Sequence, residues 1–185
     1  MQVDMPAPPA PPAWSLDGLR LPKAIENDAQ GPALHAALRE RCQKLWPGGA
    51  IVVPSAAWSG AVADALESAK QQGHVVRGLE RIEKALARQA RGLAIADARS
   101  ATERGSRVSR LLLLSNDGTE RFYRQAERLV CTEGQRLLTI CVAADASQLA
   151  GVVPEASGVV RALMLEHKDS VVSVLRALYP SAPAH

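Results

Sequence analysis

Aromatic side chains are scarce in this chain: three Trp, two Tyr and one Phe make up 3% of 185 residues. A core must then be packed from Ala, Val, Leu and Ile. The same scarcity disfavours a single-strand platform on which successive bases stack on exposed rings. The three cysteines, Cys42, Cys131 and Cys141, form no paired-spacing motif. An odd count without a signal-peptide pattern predicts free thiols and a reducing compartment. No basic region followed by an apolar core stands at the N-terminus, so secretion is not expected. No apolar run approaches transmembrane length, so no membrane is expected among the partners. The expectation is a soluble intracellular protein.

Catalytic signatures are missing too. The sequence holds no Walker loop, dinucleotide fingerprint or nucleophile elbow. His35, His74, His167 and His185 do not stand at metal-ligand spacing with cysteine or carboxylate, so neither a metal nor another cofactor is expected. The best catalytic candidate is the run Ser115, Asn116 and Asp117, placed at the carboxyl end of a predicted central strand, where α/β sheets often bind ligands. Turn and capping chemistry accounts for these residue types fully, so no catalytic residue is assigned.

What is present suits a globular domain. Hydrophobic residues make up 47% of the chain, and its length fits one domain plus a tail or small second lobe. The net charge of +3 understates a local concentration. Between Val75 and Arg110 nine basic residues face four acidic ones, a surplus of five. That is more positive charge than the whole protein carries, which makes a polyanion a candidate partner. A solvated, arginine-rich helix face is the competing explanation.

Residues 1–30 read as a flexible tail, because Pro6, Pro8, Pro9, Pro11 and Pro12 favour polyproline II. Residues 31–60 read as an N-terminal helical extension, with a helix over Ala33–Leu45 and a short apolar strand at Ala50–Val53. From Ala61 to residue 180 helices and strands alternate. A helix capped by Ser59 spans Ala61–Gln72, a short strand holds Val75 and Val76, and a helix runs from Leu79 to about Gln89. Strands follow at Val108–Leu114, Arg136–Val142 and Val159–Leu165. Helices are expected at Glu120–Cys131, in a short stretch capped by Ser147 and running through Ala150, and at Val171–Leu178, capped by Asp169. Arg91–Arg107 reads as an insertion, with Leu93–Ala96 fitting either a brief strand or a helical extension and Ser100–Ser106 a loop, and Gly151–Pro154 reads as a loop. Such alternation predicts an α/β protein, a three-layer α/β/α sandwich around a small mixed sheet. No internal repeat is visible.

Within that order, Val75–Leu86 stands out: a β-branched pair, a glycine, then an amphipathic helix start with Leu79, Ile82 and Leu86 inward and Arg81, Lys84 and Arg88 elsewhere. A backbone-exposing glycine before a basic helix start suits docking of phosphate. An ordinary strand-to-helix turn is the plainer explanation of this stretch alone.

Consecutive pieces of the chain resemble the kink-turn-binding ribosomal protein superfamily of the L-seven-Ae and L-thirty-e type. They are AKQQGHVVRGLERIEKAL, SRLLLLSND, ERLVCTEGQRLLTICV and SQLAGVVPEASGVVRAL. Their shared order, over about two thirds of the chain (Ala61 to Leu178), carries the likeness. It implies a non-catalytic RNA-binding subunit of a ribonucleoprotein, with structured RNA and other protein subunits as partners. In the family, Asn and Glu after the glycine read sheared G·A pairs and a lysine meets the backbone. Here Gly78 matches the glycine and Lys84 the lysine, but Glu80 stands where Asn is usual and Arg81 where Glu is usual. A carboxylate at 80 cannot donate a hydrogen bond, whereas Arg81 suits a phosphate or a guanine.

Val152, Val153 and Pro154 match the loop that packs on an extruded nucleotide. The implied RNA-binding set is therefore Arg77, Gly78, Leu79, Glu80, Arg81, Lys84, Arg88, Val152, Val153 and Pro154. The 91–107 insertion, the extra N-terminal region and the altered signature resemble most the Pop-three (Rpp-thirty-eight) branch. That branch implies ribonuclease P or MRP, tRNA and rRNA processing, and a nuclear or nucleolar location. A ribosomal or small nucleolar component, a protein-binding adaptor, and an enzyme with a polar pocket beside Asn116 and Asp117 are the alternatives.

Overall fold

The computed structural model describes residues 15–99, 107–134, 136–153 and 158–180. Among them, six strands form one mixed sheet with seven α-helices around it. The strands are β1 (Cys42–Lys44), β2 (Val52–Ala57), β3 (Val75–Arg77), β4 (Arg110–Leu114), β5 (Leu137–Ala143) and β6 (Ala162–Leu165). They lie in the order β1-β2-β5-β4-β6-β3. β2, β5 and β4 are mutually parallel, and β6 runs antiparallel to both β4 and β3. The helices are α1 (Lys23–Glu26), α2 (Gly31–Glu40), α3 (Gly60–Gln71), α4 (Leu79–Arg99), α5 (Glu120–Glu133), α6 (Ala146–Val152) and α7 (Lys168–Leu178).

The three layers follow from the alternation of side chains along each strand. Leu111 and Leu113 of β4, with Leu138, Ile140 and Val142 of β5, face a core shared with α1, α2, α3, α6 and α7. Leu112 and Leu114, with Leu137 and Cys141, face a second core under α4 and α5. β4 and β5 are apolar on both faces because helices cover both. The α/β sandwich expected from the alternation is the architecture observed, and α3 to α7 keep the expected order of elements. Ser59 caps α3 by accepting from the Val62 N–H at 3.3 Å, and Gly73 ends that stretch with φ +74°.

Several expectations need correction. The tail does not extend to residue 30: Leu21 and Ile25 are buried in the first core. Arg20 bridges to Arg107, and Arg107 pairs with Glu26. The prolines at 6–12 lie outside the described residues. Residues 31–60 are not a helical extension either. α2 stops at Glu40, Arg41 turns to φ −116° and ψ 80°, and β1 pairs antiparallel with β2. β2 then joins the main sheet beside β5, so the domain takes in residues before Ala61. Tertiary pairing overrode the helical spacing of Leu38, Arg41 and Leu45.

Other boundaries moved in the same way. α4 continues past Gln89 to Arg99, taking up half of the expected insertion; Ser100–Ser106 lie outside the described residues. α6 is capped by Asp145 rather than Ser147, in a reciprocal capping box with Gln148, and α6 extends through Val152. β6 starts at Ala162, three residues later than expected, and His167 rather than Asp169 caps α7. No helix among the described residues is long and apolar enough to cross a membrane.

Candidate nucleic-acid interface

β2, β3, β4 and β5 all end at one edge of the sheet, where β6 begins, and α3, α4, α5 and α6 start there. Gly78 makes the tightest of these passages. Its N–H donates to the Ala162 carbonyl at 2.9 Å, extending the β3–β6 ladder, while its own carbonyl accepts from the Ile82 N–H at 3.0 Å and opens α4. One residue serves both strand and helix, which requires φ +76°, a conformation that glycine adopts freely. Nothing lies within 4 Å of where a Cβ would project, so the outer side of the turn is open. Leu79 is buried with Ile82, Ala85 and Leu86 beneath α4 and serves packing rather than a surface.

Beyond the turn, Arg81, Lys84 and Arg88 are exposed at i, i+3 and i+7 and form one stripe along α4. Among the described residues no salt bridge engages any of the three. Glu80, also exposed, stands at the head of the same helix. Arg77 does not join the stripe. Val75 packs toward the α3–α7 side and Val76 toward the α4–α5 side, so alternation sends Arg77 with Val75, away from α4.

At the same edge the structure brings together a group that sequence reasoning did not single out in full. Arg161, half-buried at the entry to β6, sets its Nε 3.5 Å from Asp117. Its carbonyl accepts from the Ser115 N–H at 2.9 Å. The Ser115 hydroxyl donates to Asp117 at 2.7 Å, and the Tyr123 hydroxyl donates to the Ser115 carbonyl at 2.9 Å. Burial works to raise the Asp117 carboxyl. The Ser115 hydrogen bond, the Ala146 backbone and the Arg161 charge outweigh it and hold the group below its ordinary range. Ser115 and Asp117 are thus engaged by each other, by Arg161 and by neighbouring backbone, and the edge beside Gly78 carries a paired Arg–Asp rather than a free base. Arg161 gave no signal of its own, because between Val160 and Ala162 it reads as part of a strand.

The second implied contact needs correction. Val152 and Val153 are 7% and 6% exposed and belong to the core on the α3–α7 side. Val152 closes α6 rather than lying in a loop, so these two side chains are not presented as a cover for an extruded base. Pro154 lies outside the described residues. Among the described residues no group of three or more His, Cys, Asp or Glu could hold a metal ion. Cys42 and Cys131 are free thiols at least partly open to solvent, while Cys141 is buried in the sheet. Burial pushes the Cys42 and Cys141 thiols up, so neither is an activated nucleophile.

No protein-family model matches this chain, and no curated protein matches it.

Proposed function

We propose that this chain is a non-catalytic RNA-binding subunit of a ribonucleoprotein, and that its assembly is ribonuclease P or MRP, at work in the nucleus or nucleolus. The observation that carries the reading is the exposed stripe of Arg81, Lys84 and Arg88, which no salt bridge among the described residues engages, leading away from an open Gly78 turn. In the resemblance drawn from the sequence, it corresponds to the stretch by which that family meets RNA. The run of elements from α3 to α7 matches the order on which that resemblance rests, which adds support.

In this reading the stripe meets phosphates, which fix register and supply affinity without reading sequence. Arg81 takes a phosphate or a guanine edge in place of the family's carboxylate. Buried Val152 and Val153 and the carboxylate at Glu80 speak for contact with the RNA backbone over the family's usual base readout. The same two observations favour the second reading, a protein-binding adaptor that kept the fold.

The test is a charge reversal, Arg81→Glu with Lys84→Glu, measured on a structured RNA across a salt series. Each lost phosphate contact lowers the slope of log K against log salt by about 1, so the double variant should lower it by about 2 and weaken binding at every salt concentration. Unchanged affinity and slope would show that this surface does not meet RNA. Sequencing the RNA that copurifies with the native complex separates ribonuclease P or MRP from a ribosomal or nucleolar assembly. A complex free of RNA favours the adaptor.

A further inference from the structure

α4 and α5 carry the same basic pattern at corresponding places. The first turn of α4 holds Glu80 and Arg81, and Lys84 and Arg88 follow; the first turn of α5 holds Glu120 and Arg121, and Arg124 and Arg128 follow. Each position in the second set follows its counterpart by 40 residues. The spacing of the cations puts three on one face of each helix, and all six are exposed. Arg91 extends the α4 row by one more turn.

The sheet fixes how the two rows lie. β3 and β4 are both antiparallel to β6, hence parallel to each other, and β4 is parallel to β5. α4 returns from β3 to β4 and α5 from β4 to β5, so both helices run the same way from the same edge. They pack side by side over the second core, with axes about 8–10 Å apart as packed helices have. At about 1.5 Å rise per residue, the α4 row from Arg81 to Arg91 spans about 15 Å and the α5 row from Arg121 to Arg128 about 10 Å.

The charge on this face is largely uncommitted. Among the described residues Arg81, Lys84, Arg88, Arg91, Arg121 and Arg128 enter no salt bridge. Arg124 is shared, 2.8 Å from Glu120 and 4.7 Å above the Trp46 ring. Seven cations face the exposed carboxylates Glu80, Glu83 and Glu120, while Glu127 turns inward to Trp46 and the backbone of Ala50 and Ile51.

We infer that the joint outer face of α4 and α5 seats a double-helical RNA stem, with one row of cations on the phosphates of each strand. The inference rests on the RNA-binding reading and extends it to a helix, α5, outside the first candidate site. Two parallel rows on rigid helices suit two phosphate strands, and duplex RNA is recognised mostly by shape and backbone. A single strand would want open rings to stack on. Here Trp46 lies under Arg124, Phe122 packs against the second core, and Tyr123 is buried in it.

The experiment uses the full chain with three probes: a kink-turn RNA, an RNA hairpin stem of about 16 base pairs, the span that double-stranded-RNA domains cover, and a single strand of equal length. Two double variants are compared, Arg121→Gln/Arg128→Gln and Arg121→Lys/Arg128→Lys. All four changes fall on exposed side chains, and circular dichroism confirms that the fold is kept. The wild type should prefer the stem to the single strand. The Gln pair should weaken stem binding and lower its salt slope by about 2, and the Lys pair should restore both. An unchanged stem slope in the Gln pair, or a preference for the single strand, overturns the inference, as does an acidic protein partner that competes while the stem is ignored. If the kink-turn probe still depends on Arg81 and Lys84 in that case, the proposed function stands without this extension. If the wild type binds none of the three RNAs, both fall.

Discussion

Glu127 ties the β1–β2 connection to α5. Its carboxylate accepts from the Trp46 indole at 2.5 Å and from the backbone N–H groups of Ala50 at 2.6 Å and Ile51 at 2.9 Å. Burial pushes this carboxyl up, but the three hydrogen bonds and the charge of Lys44 outweigh it, so it is held below its ordinary range. A carboxyl lowered on folding stabilises the protein above its unfolded pKa, and that contribution is lost as pH falls through the folded value. Glu127→Gln keeps the shape but can present only one acceptor oxygen. It should cost about 1–3 kcal/mol near pH 7, and the gap from wild type should close as pH falls below about 4, measured by denaturant unfolding at each pH. Gly78 makes a separate prediction at this scale. A Cβ there meets open space, so Gly78→Ala should cost only the backbone strain of φ +76°, about 1–2 kcal/mol. Gly78→Asn should cost less, because Asn tolerates that region. Equal costs for the two would mean that something other than backbone strain sets the penalty.

Among the α-helices of the described residues, α1 is the shortest, and only packing explains it. Four residues cannot hold a helix in water, yet Lys23–Glu26 stands because Ile25 enters the first core at 2% exposure. Glu26 also pairs with Arg20 and with Arg107, and the Arg107 contact ties this segment to the chain just before β4. Ile25→Ala should therefore destabilise the whole domain by about 2–5 kcal/mol in a single unfolding transition. A loss confined to fraying of residues 15–30 would show the segment to be peripheral. α4 illustrates the opposite case. Its first turns were legible from Leu79, Ile82 and Leu86, whereas Leu93–Ala96 read equally as a brief strand or a continuation of the helix. Gly92 interrupts the helical spacing, and a four-residue apolar run fits either element.

For the molecule as a whole, the sequence sufficed where burial repeats along the chain. The run Leu111–Leu114 announced a strand covered on both faces, and the alternation of helices with strands announced the sandwich around it. Capping chemistry at Ser59 was readable because it acts within three residues. The first basic stripe was readable too, since Arg81, Lys84 and Arg88 share one helix. What lies across elements was not. β1 and β2 pair through a turn that reads as a helix stop, and the burial of Val152 and Val153 depends on which side of the sheet α6 is laid. Arg161 meets Asp117 only because Ala162 lies opposite Leu114 in the β4–β6 register. The pairing of α4 with α5 as neighbouring, parallel basic rows likewise needs the strand order.

Local periodicity and charge by themselves determined the class of fold and the place of the glycine-led basic helix, because both are set by neighbours three or four residues away. Only the tertiary structure decided which cations share a face, which valines are spent on the core, and where the domain begins. Those depend on contacts between residues far apart in sequence, and local spacing carries no record of which distant elements meet.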